Sequence, residues 1–170
     1  PGLDPAFATA AREFAQLIAL SGRTLVFGGG RVGLMGVLAD AALAAGGRVI
    51  GVIPAKLAEK ELAHSGLSEL HCVGSMHERK ALMAELSDAF VALPGGLGTL
   101  DELFEAWSWT HARLQSKPSG LLNVAGYYDA LLEFIDTMAR ERLLHAASRA
   151  ILDSDTRVTE LLDRLEQAGY

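Results

Sequence analysis

With one cysteine, Cys72, the chain has no means of forming an intramolecular disulfide, and a reducing cytoplasm is the expected compartment. The histidines, His64, His71, His77, His111 and His145, lack metal-ligand spacing such as His-x-x-x-His, so a site without metal is expected. Positive charge is also scarce. Lys plus Arg number 15 against 21 Asp plus Glu, a net charge of −6, which disfavours broad electrostatic capture of nucleic acid or of an anionic membrane. An anionic ligand then has to be held by a local site. No apolar run approaches the roughly 20 residues that span a bilayer, and no signal-peptide pattern opens the chain. Internal repeats, low-complexity tracts and linkers are missing as well.

What remains is an apolar chain that folds. Half its 170 residues are hydrophobic (50%) and 21% are charged, a balance too apolar for disorder. The length suits one domain spanning residues 1–170 and is too short for a catalytic domain plus a substrate domain. Short apolar runs alternate with longer helical patterns. Strands are expected at Thr24–Phe27, Arg48–Ile53, Glu69–Val73, Ala89–Leu93, Gly120–Val124 and Ala150–Leu152. Helices are expected at Asp4–Leu20, Leu34–Ala45, Met76–Ser87, Leu100–Arg113, Tyr127–Arg142 and Thr156–Gln167. Most of the strand runs are continuously apolar, as in strands covered on both faces. The order predicts an α/β protein, a Rossmann-like doubly wound parallel sheet with helices on both faces. Such a sheet ordinarily leads with a strand, whereas this chain leads with a helix pattern, so a first strand is expected to be missing before residue 1.

Two glycine loops follow strand patterns. The first, Phe27-Gly28-Gly29-Gly30-Arg31-Val32-Gly33-Leu34-Met35-Gly36, matches Gly-x-Gly-x-x-Gly, but the next strand ends Ile53-Pro54-Ala55-Lys56 without the acidic residue an NAD ribose requires. Its glycines serve either a tight turn and close helix packing, or a nucleotide contact through Gly29, Gly30, Gly33 and Met35. The second loop, Pro94-Gly95-Gly96-Leu97-Gly98-Thr99-Leu100-Asp101-Glu102, is the stronger motif. Gly95, Gly96 and Gly98 let backbone approach a ligand, and the following helix aims free N–H groups and its positive dipole end at that spot. No P-loop lysine follows, so a monophosphate suits it better than a Mg²⁺-bound triphosphate. Thr99 and Glu102 also fit a capping box, Thr-x-x-Glu. Alternatively, Glu102 lies about a sugar's width from a bound phosphate.

Two further features concern charge and packing. Arg79, in Met76-His77-Glu78-Arg79-Lys80, falls on the face shared by Met76, Leu82, Met83 and Leu86, where it either snorkels to water or serves a cleft. Trp107 reads as core, Trp109 as an interface or base-pocket residue, and Cys72 as a small buried hydrophobe.

Taken together, the loop from Gly28 to Gly36, the Met76–Lys80 segment and Pro94 to Glu102 resemble the Lonely Guy family of cytokinin riboside 5′-monophosphate phosphoribohydrolases, often mislabelled as lysine decarboxylases. The resemblance extends through Lys117-Pro118, Gly120-Leu121-Leu122-Asn123 and Gly126-Tyr127-Tyr128. It implies a Rossmann-like homodimer that needs no cofactor and acts on a nucleoside 5′-monophosphate. The catalytic pair would be Arg79 and Glu102, the phosphate loop Gly95, Gly96, Gly98 and Thr99, and further ligand contacts Glu61, Lys80, Asp101 and Ser108. The chain departs from the family's pattern in three places. The family's first strand and Cys-Gly-Ser-type loop would precede Pro1, Trp109-Thr110-His111-Ala112-Arg113 replaces Trp-Ala-Gln-Leu-Gly, and Asp101 replaces Glu.

The reaction this implies is hydrolysis of the N-glycosidic bond of an adenosine 5′-monophosphate, plain or N6-substituted. Glu102 would stabilise positive charge on the sugar or help activate water. Arg79 would orient that carboxylate or contact the phosphate and leaving group. The alternatives are a non-enzymatic nucleotide or molybdenum-cofactor carrier of the same fold and, third, a lysine decarboxylase dependent on pyridoxal phosphate.

Overall fold

The computed structural model describes residues 2–61 and 63–169, with residues 59–61 and 169 described by backbone alone. The chain divides after Ser87 into two compact units, each with its own three-stranded parallel sheet.

In the first unit the helix α1 (Pro5–Leu20) precedes β1 (Thr24–Phe27), α2 (Leu34–Ala44), β2 (Arg48–Pro54), α3 (Ala55–Glu61), β3 (Glu69–Val73) and α4 (Met76–Glu85). Asp4 caps α1 by accepting the Ala6 N–H at 2.8 Å, with Pro5 opening the helix, where its missing N–H costs nothing. The strand order is β1-β2-β3, with Leu25 opposite Val49 and Val52 opposite His71. Every residue of β2 after Arg48 is buried, and since successive side chains point to opposite faces, both faces of this strand are covered. The apolar run in the sequence encodes that arrangement. The outer strand β3 differs: Glu69, His71 and Val73 are half-buried while Leu70 and Cys72 are exposed. Cys72 is thus not the buried hydrophobe expected, because one face of its strand is open. The helix α3 is not among the expected elements, since a run as short as Ala55–Glu61 carries too few apolar positions to display helical periodicity.

The second unit runs β4 (Phe90–Ala92), α5 (Leu97–His111), β5 (Ser119–Leu122), α6 (Asp129–Arg140), α7 (Ala146–Arg149), β6 (Leu152–Asp155) and α8 (Val158–Gly169). The order is β4-β5-β6, all parallel. Its core gathers Ala92, Leu103, Trp107, Leu121, Tyr128, Ile135 and Leu152, and the Trp107 indole N–H donates to the Ser148 carbonyl at 2.9 Å. Trp107 is core, as its spacing predicts. The strand expected at Ala150–Leu152 lies instead at Leu152–Asp155, after the unpredicted α7. No helix among the described residues is long and apolar enough to cross a membrane.

Candidate functional site

In each unit a glycine-rich turn leaves the C-terminal end of a parallel strand, where open α/β sheets bind ligands. The expected site residues fall into two sets, one per unit.

In the first unit, Arg79 is only 6% exposed and its Nη2 donates to the Gly28 carbonyl at 3.1 Å, with Nη1 beside the Met76 sulfur at 3.8 Å. Snorkelling is therefore ruled out: on α4 the apolar Met76 and neighbouring Leu86 are exposed while the cation is buried. A Cβ at Gly28 would fall on the Arg79 guanidinium, so glycine there is the condition for this contact. Gly29 has φ +74°, with Leu70 and Ile53 close to the missing Cβ, and Gly33 caps α2 at φ +67°. Gly30 forms an isolated antiparallel bridge with Ala63. Packing thus accounts for much of the first loop. Met35 is half-buried in the first turn of α2, Lys80 half-buried on α4, and Glu61 closes α3 with its side chain outside the described residues.

One residue of this unit carries no sequence signal. His64 is 8% exposed, its backbone N–H donates to the Gly29 carbonyl at 3.0 Å, and its Nδ1 accepts the Gly66 N–H at 3.1 Å. With Nδ1 an acceptor, Nε2 carries the hydrogen and donates to Asp40 at 2.9 Å. The imidazole ties the segment after α3 to α2 and, through its backbone, to the glycine turn.

The second unit presents a different kind of loop. α5 starts at Leu97 rather than Leu100, its N-cap is Gly96, and no side chain caps it. The first intrahelical bond joins the Leu100 N–H to the Gly96 carbonyl at 3.2 Å, so the N–H groups before it point out of the helix end without an intrahelical acceptor. Thr99 and Glu102 therefore form no capping box. Side chains close the start of α4 instead, where the N-cap Ser75 accepts the Glu78 N–H at 3.1 Å and Glu78 reaches past it to accept the Gly74 N–H at 2.8 Å. Asp4 and Ser75 close the starts of α1 and α4, whereas α2, at Gly33, and α5, at Gly96, both begin without a side-chain cap.

The glycines sharpen that contrast. A Cβ at Gly95 would strike Thr99, but at Gly96 or Gly98 it would meet nothing within 4 Å. Gly96 has φ −92° and Gly98 lies within α5, so neither position is glycine for backbone reasons. Open space adjoins both positions, and the fold does not require glycine at either. Glu102 is half-buried in the next turn of α5, while Asp101 and Ser108 are exposed, the Ser108 hydroxyl donating to the Glu105 carbonyl at 2.8 Å. Trp109 is half-buried, and His111 Nδ1 lies 2.6 Å from the Ser148 hydroxyl.

Beneath this loop lies an arrangement whose role the sequence does not reveal. The Tyr127 hydroxyl donates to the Gly95 carbonyl at 2.7 Å and the Tyr128 hydroxyl to the Leu93 carbonyl at 2.6 Å. The rings meet edge to face, centroids 4.9 Å apart. Asn123 fixes them, accepting the Tyr128 N–H at 2.7 Å and donating to Asp129 at 2.7 Å. Burial pushes the Tyr128 phenol above its ordinary range, so it remains a neutral donor. The available signal is the run Asn123-Val124-Ala125-Gly126-Tyr127-Tyr128-Asp129 directly after an apolar strand.

Parallel strands, helical crossovers and glycine turns at strand ends define a Rossmann-like α/β protein. The molybdenum cofactor binding protein from Rippkaea orientalis superposes with a TM-score of 0.73 at 26% identity, over 96% of this chain and 88% of that one. The family model described as possible lysine decarboxylase matches residues 35–165. The cytokinin riboside 5′-monophosphate phosphoribohydrolase of Rhodococcoides fascians is 52% identical over 151 residues, 88% of this chain and 76% of that protein. One from Arabidopsis thaliana is 44% identical over 160 residues, 94% of this chain and 70% of its own length. The chain belongs to this family, the Lonely Guy family, whose model carries the decarboxylase description.

Proposed function

We propose that this protein hydrolyses the N-glycosidic bond of an adenosine 5′-monophosphate, plain or N6-substituted, to free base and ribose 5-phosphate. The observation that carries the reading is the uncapped start of α5, with space kept clear at Gly96 and Gly98. An anion fits there, because exposed N–H groups and the positive end of the helix dipole both favour negative charge. The 52% identity to a phosphoribohydrolase supports the choice of reaction over the carrier alternative, whose structural relative shares 26%.

The phosphate sits at Gly95, Gly96, Gly98 and Thr99. At 1.5 Å of rise per residue, Glu102 lies about 6 Å along the helix axis from Gly98, a distance that suits a ribose between phosphate and carboxylate. As the C1′–N9 bond breaks, positive charge grows on the sugar, and a carboxylate held in place stabilises it or helps water attack C1′. Water supplies the hydroxyl at C1′ and the departing base takes a proton. Arg79 is the second catalytic residue, orienting the carboxylate or contacting phosphate and leaving group. Glu61, Lys80, Asp101 and Ser108 are further substrate contacts, with Gly29, Gly30, Gly33 and Met35 lining the nucleotide from the first loop. The reaction needs no cofactor, and the working form is a cytoplasmic homodimer.

The test is incubation with AMP and with an isopentenyl-type N6-substituted AMP, following free base by chromatography. Release of base from either supports the reading. No release from both refutes it. A lysine decarboxylase would instead show the absorbance of bound pyridoxal phosphate.

A further inference from the structure

We infer that Tyr127 is a positioning residue that turns the Gly96 N–H toward the substrate phosphate. The inference rests on the proposed reading of the loop before α5 as a phosphate site. A peptide unit is planar, and in the trans form its C=O and the following N–H point in opposite directions. All peptide bonds of the described chain are trans. The Gly95 carbonyl is drawn toward the Tyr127 hydroxyl at 2.7 Å, so the Gly96 N–H points away from the tyrosine. Neighbouring units are settled differently. The Leu93 carbonyl is held by Tyr128, and the residue after it is Pro94, which has no N–H to direct. The unit after Gly95–Gly96, which joins Gly96 to Leu97, is fixed by α5 itself, the Gly96 carbonyl accepting the Leu100 N–H at 3.2 Å. The Gly95–Gly96 unit is therefore the one whose orientation decides whether the loop presents a donor or an acceptor at the helix start. With glycine on both sides, it also turns over at low steric cost, so an external hold is required.

Exposure separates this role from simple stabilisation. Tyr128 is 2% exposed and belongs to the core, whereas Tyr127 is 45% exposed, so water can replace its hydroxyl at the Gly95 carbonyl with little loss of stability. What water does not supply is a fixed direction. The hold on Tyr127 is itself stiff: Ala125 and Gly126 both have positive φ, and a Cβ at Gly126 would press on the Asp129 carboxylate that Asn123 grips.

The experiment is Tyr127→Phe, which keeps the ring and its contact with Tyr128. The expected result is a fall of about five- to tenfold in kcat/KM for AMP, with no matching fall for adenosine, which has no phosphate to be placed, and melting temperature preserved. Equal losses for nucleotide and nucleoside, or no loss for either, overturn the inference. A readout without turnover is titration with inorganic phosphate, followed by NMR at the Gly96 amide. At least threefold weaker binding in the variant supports the hold, and equal affinity or a Gly96 amide indifferent to phosphate overturns it. A wild-type protein that shows this phosphate response yet releases no base refutes the hydrolase while leaving the role of Tyr127 standing.

Discussion

Replacing Gly98 with alanine separates what the fold requires from what a ligand requires. Ordinarily a glycine inside a helix costs up to about 1 kcal/mol relative to alanine. The added Cβ at this position meets no atom within 4 Å. Gly98→Ala should therefore leave the fold intact or stabilise it, and for a chain of this size the melting temperature should stay level or rise by up to about 4 °C. Activity should move the other way. On the proposed placement the methyl group crowds a phosphate drawn to the exposed N–H groups of α5, and losing one charge-assisted hydrogen bond costs about 1.5 to 3 kcal/mol, a fall of about 10- to 150-fold in kcat/KM for AMP. Thermal unfolding and chromatographic base release measure the two effects on the same preparation. A variant that keeps kcat/KM within about twofold of wild type would refute the placement of the phosphate, however stable the protein. A melting temperature lowered by several degrees would refute the claim that the fold leaves this space unused.

Gly28→Ala is the counterpart: its Cβ falls on the Arg79 guanidinium, and the expected result is a lowered melting temperature. Glu102→Gln removes charge with little change of shape, and kcat should fall by about 100-fold or more, roughly 2.7 kcal/mol, in steady-state assays; near-normal turnover would leave this carboxylate without a catalytic part. Arg79→Ala strips the Gly28 carbonyl of its buried donor and should cost about 1 to 3 kcal/mol in urea unfolding, an effect absent if water takes over. The Asp155 carboxyl is held below its ordinary value by the Arg157 backbone N–H and by Arg164. Its contribution is then fully present above the unfolded carboxylate pKa, about 3.9, and is lost as pH falls through the lower folded value. Asp155→Asn should flatten the fall in stability below about pH 4, and an unchanged acid limb would contradict that assignment.

The strands β2 and β5 are legible in the sequence because their apolar runs are unbroken, which is what burial on both faces demands. The start of α5 is hidden for an equally physical reason. Thr99-x-x-Glu102 has the composition of a capping box, but the helix begins earlier at a glycine cap whose missing side chain leaves no local signature. Arg79 stands out by its place on an apolar face, yet only the fold distinguishes a buried guanidinium donating to Gly28 from one reaching for water. Tyr127, Tyr128 and His64 act through hydrogen bonds to distant backbone, from Tyr127 to Gly95 and from His64 to Gly29, and no periodicity records such pairings. Written as letters, the packing-determined glycines of one loop are indistinguishable from the open glycines of the other.

Each sheet closes its ladders within a short stretch of chain. The pairings of the first join residues between Thr24 and Phe27, Arg48 and Pro54, and Glu69 and Val73, while those of the second begin only at Phe90. During synthesis the earlier ladder has all its strands before the later one has any, and at roughly 5 to 20 residues per second several seconds separate the two. A chain that ends at Ser87 and has cleared the ribosome should already protect the β2 amides from hydrogen exchange, because both partner strands are present and free to pair.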